Sequence, residues 1–403
     1  MKYTPVQVVY VTMGTNKVGR LALIDRRIYF EYDPSFLEIG IQLSPVKLPL
    51  KSGARVCDDN IFEGLFGIFN DSLPDGWGRL LLDRQVRSYG ISPEQLTPLD
   101  RLTHVGMYGM GALCYEPAIS SVHSGSDALN LEHLAKETTQ VIESEAEEVF
   151  TDLLELSGSS AGARPKIMVG VDEALKNIIH GQRNLPNKYS HWMIKFASGN
   201  DKKEIGAIEY AYSLMAKAAG LIMPQTHLFP AKKGAGYFGV KRFDRNDGER
   251  FHMHSLCGLL HADHRIPSLD YETVLRVTLA LTKNVLEVEK MFRLATFNVL
   301  AHNRDDHSKN FSFLMEKEGT WKASPVYDLT FSSGPGGEQS TTIFSEGKAP
   351  GKKHLLELAE KFDIKKPHEI VEQVSDAIVN WPKFAETAGV SVVSQKQIGK
   401  MIL

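Results

Sequence analysis

Cysteine is scarce in this chain and poorly placed for cross-linking. The three present, Cys57, Cys114 and Cys257, are odd in number, far apart and lack C-x-x-C spacing. That argues against a disulfide framework and for reduced thiols in a cytosolic, cytoplasmic compartment. Long apolar runs are missing as well. No stretch of roughly eighteen apolar residues occurs, so no membrane span is expected. The opening MKYTPVQVVYVTMGTNKVG lacks the apolar core and small-residue cleavage site of a signal peptide. Charge of one sign is not in excess either. A formal net charge of −3 over 403 residues leaves no global footprint for nucleic acid or membrane. There is no GxxxxGK[ST] loop and no internal repeat. What remains is an ordinary globular composition, long enough for two domains or more.

Residues 299–330, VLAHNRDDHSKNFSFLMEKEGTWKASPVYDLT, carry the strongest pattern. Asp305 is followed five positions later by Asn310, and Asp328 lies further on in PVYDLT. Protein kinases use an Asp, an Asn at plus five and a downstream Asp in this order. Mg²⁺ is a hard cation that prefers oxygen, so a carboxylate and an amide carbonyl suit it. A second carboxylate, clear of the metal, is needed to face the nucleophile. HNRDDH would also suit a solvated turn after a helix. The helix itself is visible: Val285, Val288, Phe292, Ala295 and Val299 step by three and four. It should end near His302 and deliver Asp305 into a loop. FSFLM and WKASPVYDL then read as a hairpin joined by EKEGT.

The rest of the chain divides around this stretch. Residues 5–32 read as strands, IQLSPVKLPL as a further extended piece, and the helix after LPDG starts near Trp77 and stops at Gly90. Residues 1–116 form a first α+β unit. A Pro/Ser/Gly-rich loop at 117–129 leads to two acidic helices, whose glutamates at 143–148 suit a solvated face. SGSSAGARPK (157–166) follows; its small residues, Ala161, Gly162 and Ala163 among them, would let backbone N–H groups approach an anion. In SHWMIKFAS, alternation puts Trp192, Ile194 and Phe196 on one face and Met193 and Lys195 on the other. Lys195 would bind phosphate there or snorkel at a sheet edge. Glu209, in the helix that follows, is a candidate partner for it. A hairpin around KKGAG runs out to Asp244, where an adenine-binding hinge would lie. FHMHSLCGLLHADHR crowds His252, His254, Cys257, His261 and His264, but its leucines make it a helix with a core face rather than a metal centre. FSSGPGGEQSTT reads as a mobile loop and Lys348, Lys352, Lys353 and His354 as a solvated basic cluster. Residues 354–403 are helical in pattern.

Taken in order, LPDGWGR, GARPK, RFDR, DxHxKNFSF and YDL resemble the HipA family of bacterial serine/threonine-kinase toxins. The likeness covers nearly the whole chain. It implies an α+β, protein-kinase-like two-lobe fold related to the phosphatidylinositol kinases. That fold has a β-rich N-terminal part with an extra subdomain and an all-helical C-terminal part. The implied boundaries are 1–116, 117–245 and 246–403. By position, Lys195 takes the ATP-phosphate role, Asp305 the catalytic role, and Asn310 and Asp328 the Mg²⁺ roles. Lys241 to Phe243, before Asp244, take the hinge position through backbone groups. Ser159 aligns with a serine whose autophosphorylation silences the enzyme, with Ser160 and Ser157 close by. Two departures stand out: Asp306, where Gly is often seen, would add charge beside the phosphates, and Lys241 replaces an acidic residue. The resemblance also implies a small helix-turn-helix antitoxin that brings operator DNA into the complex, and a protein substrate such as an aminoacyl-tRNA synthetase. A co-repressor with little kinase activity and a small-molecule kinase are the other readings.

Overall fold

The computed structural model describes residues 3–119, 128–143, 151–157, 162, 164–181, 184–199 and 204–403. Its first sheet is antiparallel and built from β1 (Val8–Met13), β2 (Asn16–Ile24), β3 (Arg27–Tyr32), β4 (Arg55–Val56) and β5 (Leu113–Glu116). The strand order is β4-β3-β2-β1-β5. Alternate residues Val9, Val11, Leu21, Ile28 and Phe30 are buried, as period-two alternation on a one-sided sheet requires. IQLSPVKLPL is not a strand. It makes turns and a single Ser44–Leu48 bridge, its prolines having no amide to offer a ladder. Helices α1 (Pro34–Ile39), α2 (Gly67–Asn70), α3 (Gly76–Ser88) and α4 (Pro98–Val105) complete this part. Asp75 caps α3 by accepting from the Gly76 amide at 2.9 Å.

Helices α5 (Leu131–Glu143) and α6 (Thr151–Ser157) precede a second antiparallel sheet. It contains β6 (Lys166–Asp172), β7 (Ile178–His180), β8 (Tyr189–Lys195), β9 (Thr226–Phe229) and β10 (Tyr237–Lys241), in the order β7-β6-β8-β10-β9. Helix α7 (Ile205–Ala218) crosses from β8 to β9. The core under this sheet is not made by its own segment alone. Trp77 and Leu81 of α3 are buried with Ile167, Val169, Trp192 and Ile194.

The C-terminal part is helical in bulk: α8 (Leu256–Leu260), α9 (Tyr271–Thr282), α10 (Val285–Leu300), α11 (Lys352–Lys361), α12 (Pro367–Val379), α13 (Trp381–Thr387) and α14 (Val392–Ile402). Short strands are set into it. The pair β11 (Arg245–Asn246) and β12 (Glu249–Arg250) precedes β13 (His252–Ser255), which pairs with β15 (Ser312–Met315); β15 in turn pairs with β16 (Trp321–Ala323). Strand β14 (Leu269–Asp270) pairs with β17 (Thr341–Thr342). The expected hairpin is therefore present. His252 and His254 sit on a strand, and the helix expected there is only the short α8. Helices α2 and α8 cross at glycines: a Cβ on Gly67 would lie 2.0 Å from the Gly258 carbonyl oxygen. Helix α10 buries Val288, Phe292, Ala295 and Val299 and ends at Ala301. His302 follows at φ 51°, the left-handed turn that stops a helix. The segment after Asp328 departs from expectation. It is held down, because β17 pairs with β14 and the Ser340 and Thr341 amides bond to Asp306. Among the described residues no helix is long and apolar enough to cross a membrane.

Candidate active site

A cleft separates the second sheet from the C-terminal part. Met193 and Lys195 of β8 face it, while Trp192 and Ile194 point into the core behind. The alternation seen in the sequence is thus the one the sheet uses, and it takes the Lys195 amine to the cleft instead of a sheet edge. Lys195 is only 8% exposed. Its ammonium pairs with Asp328 and, across 3.3 Å, with Glu209 Oε2. Arg164 donates to the other Glu209 oxygen at 2.7 Å. Burial alone would lower the Lys195 pKa. The Asp328 and Glu209 carboxylates outweigh it and raise the amine above its ordinary value. Burial likewise works to raise Asp328, but Lys195 and Lys166 hold its carboxyl well below the usual range.

Lys166, the lysine that closes SGSSAGARPK, supplies the charge expected of that segment beside an anion. It lies buried at the start of β6 and lines the same cleft. Burial pushes it down to about 8 despite the nearby Asp328 and Glu209 charges. Gly162 sits above it at φ +101°, where a Cβ would come within 2.6 Å of Lys166 Nζ. Only glycine leaves that approach open. Ser159, Ser160, Ala161 and Ala163 lie outside the described residues. Ser157 ends α6 and is buried, its hydroxyl donating to the Leu154 carbonyl at 2.9 Å.

The hinge expectation needs correcting in two places. The Lys241 amide already donates to the Gln225 carbonyl, and the Arg242 amide to that of His191, each at 2.8 Å. The Asp244 carboxylate borders the cleft but is fully engaged. It accepts from Arg242 at 2.9 and 2.7 Å, from Arg245 at 2.7 Å and from the Gly111 amide at 2.8 Å. Phe243 does line the cleft, its ring 5.6 Å from that of Tyr327.

Asp305, Asn310 and Asp328 are brought together by the loop after α10 and the segment after β16. Asn310 donates through Nδ2 to the Asp305 carbonyl at 2.7 Å, closing the loop after α10 on itself. Tyr327 donates to the Lys309 carbonyl at 2.6 Å, tying the second loop to the first. Asp328 has φ 55°, a left-handed conformation that Asp tolerates better than most residues. Asn310 and Asp328 line the cleft, whereas Asp305 is exposed at its rim. Partial desolvation raises the Asp305 carboxyl, opposed by His307 and reinforced by Asp328. Asp306 does not sit beside the cleft as expected. Its side chain is 0% exposed and turns into the core toward Tyr271 and Ser340.

The HipA-like C-terminal domain matches residues 158–381, and the HipA N-terminal domain matches 9–116. The chain belongs to the HipA family. A chain of the Shewanella oneidensis MR-1 toxin–antitoxin complex of HipA, HipB and operator DNA superposes on this HipA-family protein with a TM-score of 0.71. The two are 17% identical, over 98% of this chain and 94% of that one. That likeness shows that the two chains share one α+β fold. A Haemophilus influenzae (strain ATCC 51907 / DSM 11121 / KW20 / Rd) protein named "Putative kinase" is 25% identical over 185 residues, 42% of this chain and 52% of that protein. The chain therefore spans about half the length of the curated relative it matches. The Helicobacter pylori proinflammatory kinase CtkA superposes with a TM-score of 0.37 at 14% identity, over 54% of this chain and 86% of that one.

The donors in the HipA-family cleft fit a nucleotide phosphate with a divalent cation. With its Nδ2 held by Asp305, the Asn310 amide has its oxygen left for a cation, and the low Asp328 pKa keeps that carboxylate ionised. Two buried amines and the Gly162 cradle suit phosphate oxygens. One cleft residue was missed in the sequence. Asp75 accepts from Lys309 Nζ at 2.8 Å and meets His264 Nε2 at 3.0 Å, at the floor of the cleft. LPDGWGR carried Asp75 in plain view, but nothing local showed that it would meet DxHxK.

Apart from His264, which borders the cleft beside Asp75, the histidines of this segment serve as structural hydrogen-bonding groups. His254 bridges Asp71 at 2.7 Å and Ser44 at 2.9 Å. His261 comes together with Cys57 and Asp59. Its Nε2 accepts from the Gly67 amide at 2.9 Å and its Nδ1 bonds to Asp59 at 2.7 Å. With both nitrogens engaged, that trio offers no imidazole lone pair to a metal.

Proposed function

We propose that this HipA-family chain is an ATP- and Mg²⁺-dependent protein serine/threonine kinase and the toxin of a toxin–antitoxin pair. The observation that carries the reading is the convergence of Lys166, Lys195, Asn310 and Asp328 on one cleft, with Glu209 paired to Lys195 behind it. When bound, ATP supplies the transferable phosphoryl group and Mg²⁺ neutralises its developing charge. Lys195, held by Glu209, is oriented to clamp phosphate oxygens, with Lys166 beside it. Asn310 and Asp328 offer the cation its oxygens. Met193, Phe238, Val240 and Phe243 give the cleft apolar surface suited to a purine. Asp305, at the rim, orients the acceptor hydroxyl and takes its proton; its raised pKa makes it a better base than an ordinary carboxylate.

Self-silencing by phosphorylation in the 157–160 loop belongs to this reading, with Ser159 the first candidate. Ser157 is shielded in the placement described above and would need the end of α6 to unwind. The Shewanella HipA–HipB–operator complex supports a small antitoxin partner through which DNA is engaged. The chain would act in the cytoplasm on a protein substrate, and an aminoacyl-tRNA synthetase is the substrate the family resemblance suggests.

Mass spectrometry after incubation with ATP and Mg²⁺ tests the reading. Phosphate is expected on the 157–160 loop of the intact chain and on no residue of the Asp305→Ala variant. An unmodified intact chain with label on a metabolite instead would replace the reading by a small-molecule kinase. No transfer at all, with normal antitoxin–operator assembly, would leave a co-repressor.

A further inference from the structure

The two consecutive aspartates at 305 and 306 face opposite ways, and the buried one ends a chain of hydrogen bonds. The chain starts at Thr330, two residues after Asp328. The Thr330 amide donates to Asn303 Oδ1 at 3.4 Å, and Asn303 Nδ2 donates to Asn298 Oδ1 at 2.9 Å. Asn298 Nδ2 donates to the Tyr271 hydroxyl at 2.9 Å, and that hydroxyl donates to Asp306 Oδ2 at 2.6 Å. None of these five residues is more than 5% exposed. Every donor in the series points the same way, toward the carboxylate, so each bond polarises the next.

The carboxylate collects three more donors. The Ser340 and Thr341 amides reach Oδ1 at 2.9 and 3.2 Å, and Gln339 Nε2 reaches Oδ2 at 3.2 Å. An ionised carboxylate is the acceptor-only group that can satisfy such a set. A neutral carboxamide of the same shape would turn an N–H₂ toward donors and leave buried groups unmatched.

We propose that Asp306 is a positioning residue: the terminal acceptor of a buried hydrogen-bonded chain that holds the Asp305 loop and the Asp328 loop in one register. The two loops come from opposite sides of the β15–β16 hairpin, and both pack on α9 and α10 through Tyr271 and Asn298. A common anchor there explains why a carboxylate is kept in the core, where ionisation is costly. Misplacing reacting groups by about 1 Å can cost on the order of a hundredfold in rate. The consequence for phosphoryl transfer rests on the kinase reading above. The coupling of the two loops does not.

The experiment therefore has two arms, using the full chain with Asp306→Asn and Tyr271→Phe. Hydrogen–deuterium exchange should rise at 303–310 and at 328–332 together in both variants. A rise confined to one of the two loops, or no rise in either variant, would overturn the proposal. In the activity arm, Asp306→Asn should lower kcat by about tenfold or more while KM for ATP stays within about twofold. Its melting temperature should also fall, because the carboxamide leaves buried donors unmatched; the fall in kcat is what separates a positioning role from stability alone. A lower melting temperature with unchanged kcat would make Asp306 a stability residue only. An intact chain that transfers no phosphate would refute the kinase reading and leave the exchange arm to decide the coupling.

Discussion

Two buried charge clusters lie within a strand's length of each other and could be mistaken for one another. The first surrounds Asp244. Both of its oxygens are taken by Arg242, Arg245 and the Gly111 amide, and the arginines around it are taken too. Arg245 donates to the Gly109 carbonyl at 2.8 Å, and Arg250 to the Met107 and Gly111 carbonyls at 2.6 and 2.8 Å. The second surrounds Lys195. There the Asp328 side chain is 34% exposed, and Lys166, Lys195 and Asp328 all line the cleft. The first cluster has its carboxylate filled by the protein, as a structural staple must. The second turns its charged groups toward a cavity. Burial and charge are common to both, and access to the cavity separates a site from a staple.

The largest effect expected to sharpen that contrast is on catalysis. Asp328→Ala should reduce phosphoryl transfer by about a thousandfold or more, since it removes both a metal oxygen and the Lys195 partner, while the fold persists. Circular dichroism and a radiolabel assay check the two halves; full activity would make the Lys195 cluster a second staple. Asp244→Ala should do the reverse. It breaks a buried pair and should cost about 3–5 kcal/mol of stability, read from denaturant melts. A stable Asp244→Ala chain that had lost nucleotide binding would restore the hinge role that the geometry takes away.

Lys166 gives a subtler test. Its folded value of about 8 lies below the ordinary 10.5. The folded chain therefore binds fewer protons than the unfolded one between those values, and stability rises with pH through that window. Below about pH 8 the buried ammonium is a full penalty, so Lys166→Met should melt higher than the intact chain at pH 7 and lose that advantage toward pH 10. The same variant should bind nucleotide more weakly. The smallest effect belongs to Lys241→Ala, which should change nucleotide affinity by less than about twofold, because its amide is already committed and its amine is dispensable to this scheme.

Local pattern was readable wherever one element decides the outcome. The α10 stripe from Val288 to Val299, the hairpin after it, and the face of β8 that carries Lys195 all follow from periodicity, whereas Val285, in the first turn of α10, is exposed. The Asp305, Asn310 and Asp328 set came from spacing and residue chemistry. The failures share a cause, which is partners distant in the chain. GPGGEQSTT looked like a free loop because its anchor, Asp306, lies more than one element away. Asp306 looked like a cleft charge because nothing beside it in sequence reveals Tyr271. The prolines of IQLSPVKLPL pointed to an edge or loop position, and the segment is a loop with one Ser44–Leu48 bridge. Asp244 looked like part of a hinge because Gly111 and Arg250, which complete its shell, belong to other segments.

The placement of Trp77 bears on how the chain is made. Helix α3 leaves the ribosome before any strand of the sheet it covers has been synthesised, and its indole must wait for β6 and β8 to arrive. During that interval Trp77 and Leu81 are apolar groups without their shelter. Vectorial synthesis thus leaves this part of the first segment's apolar surface uncovered until the second sheet is made. Moving that segment behind the rest by circular permutation would shorten its exposure.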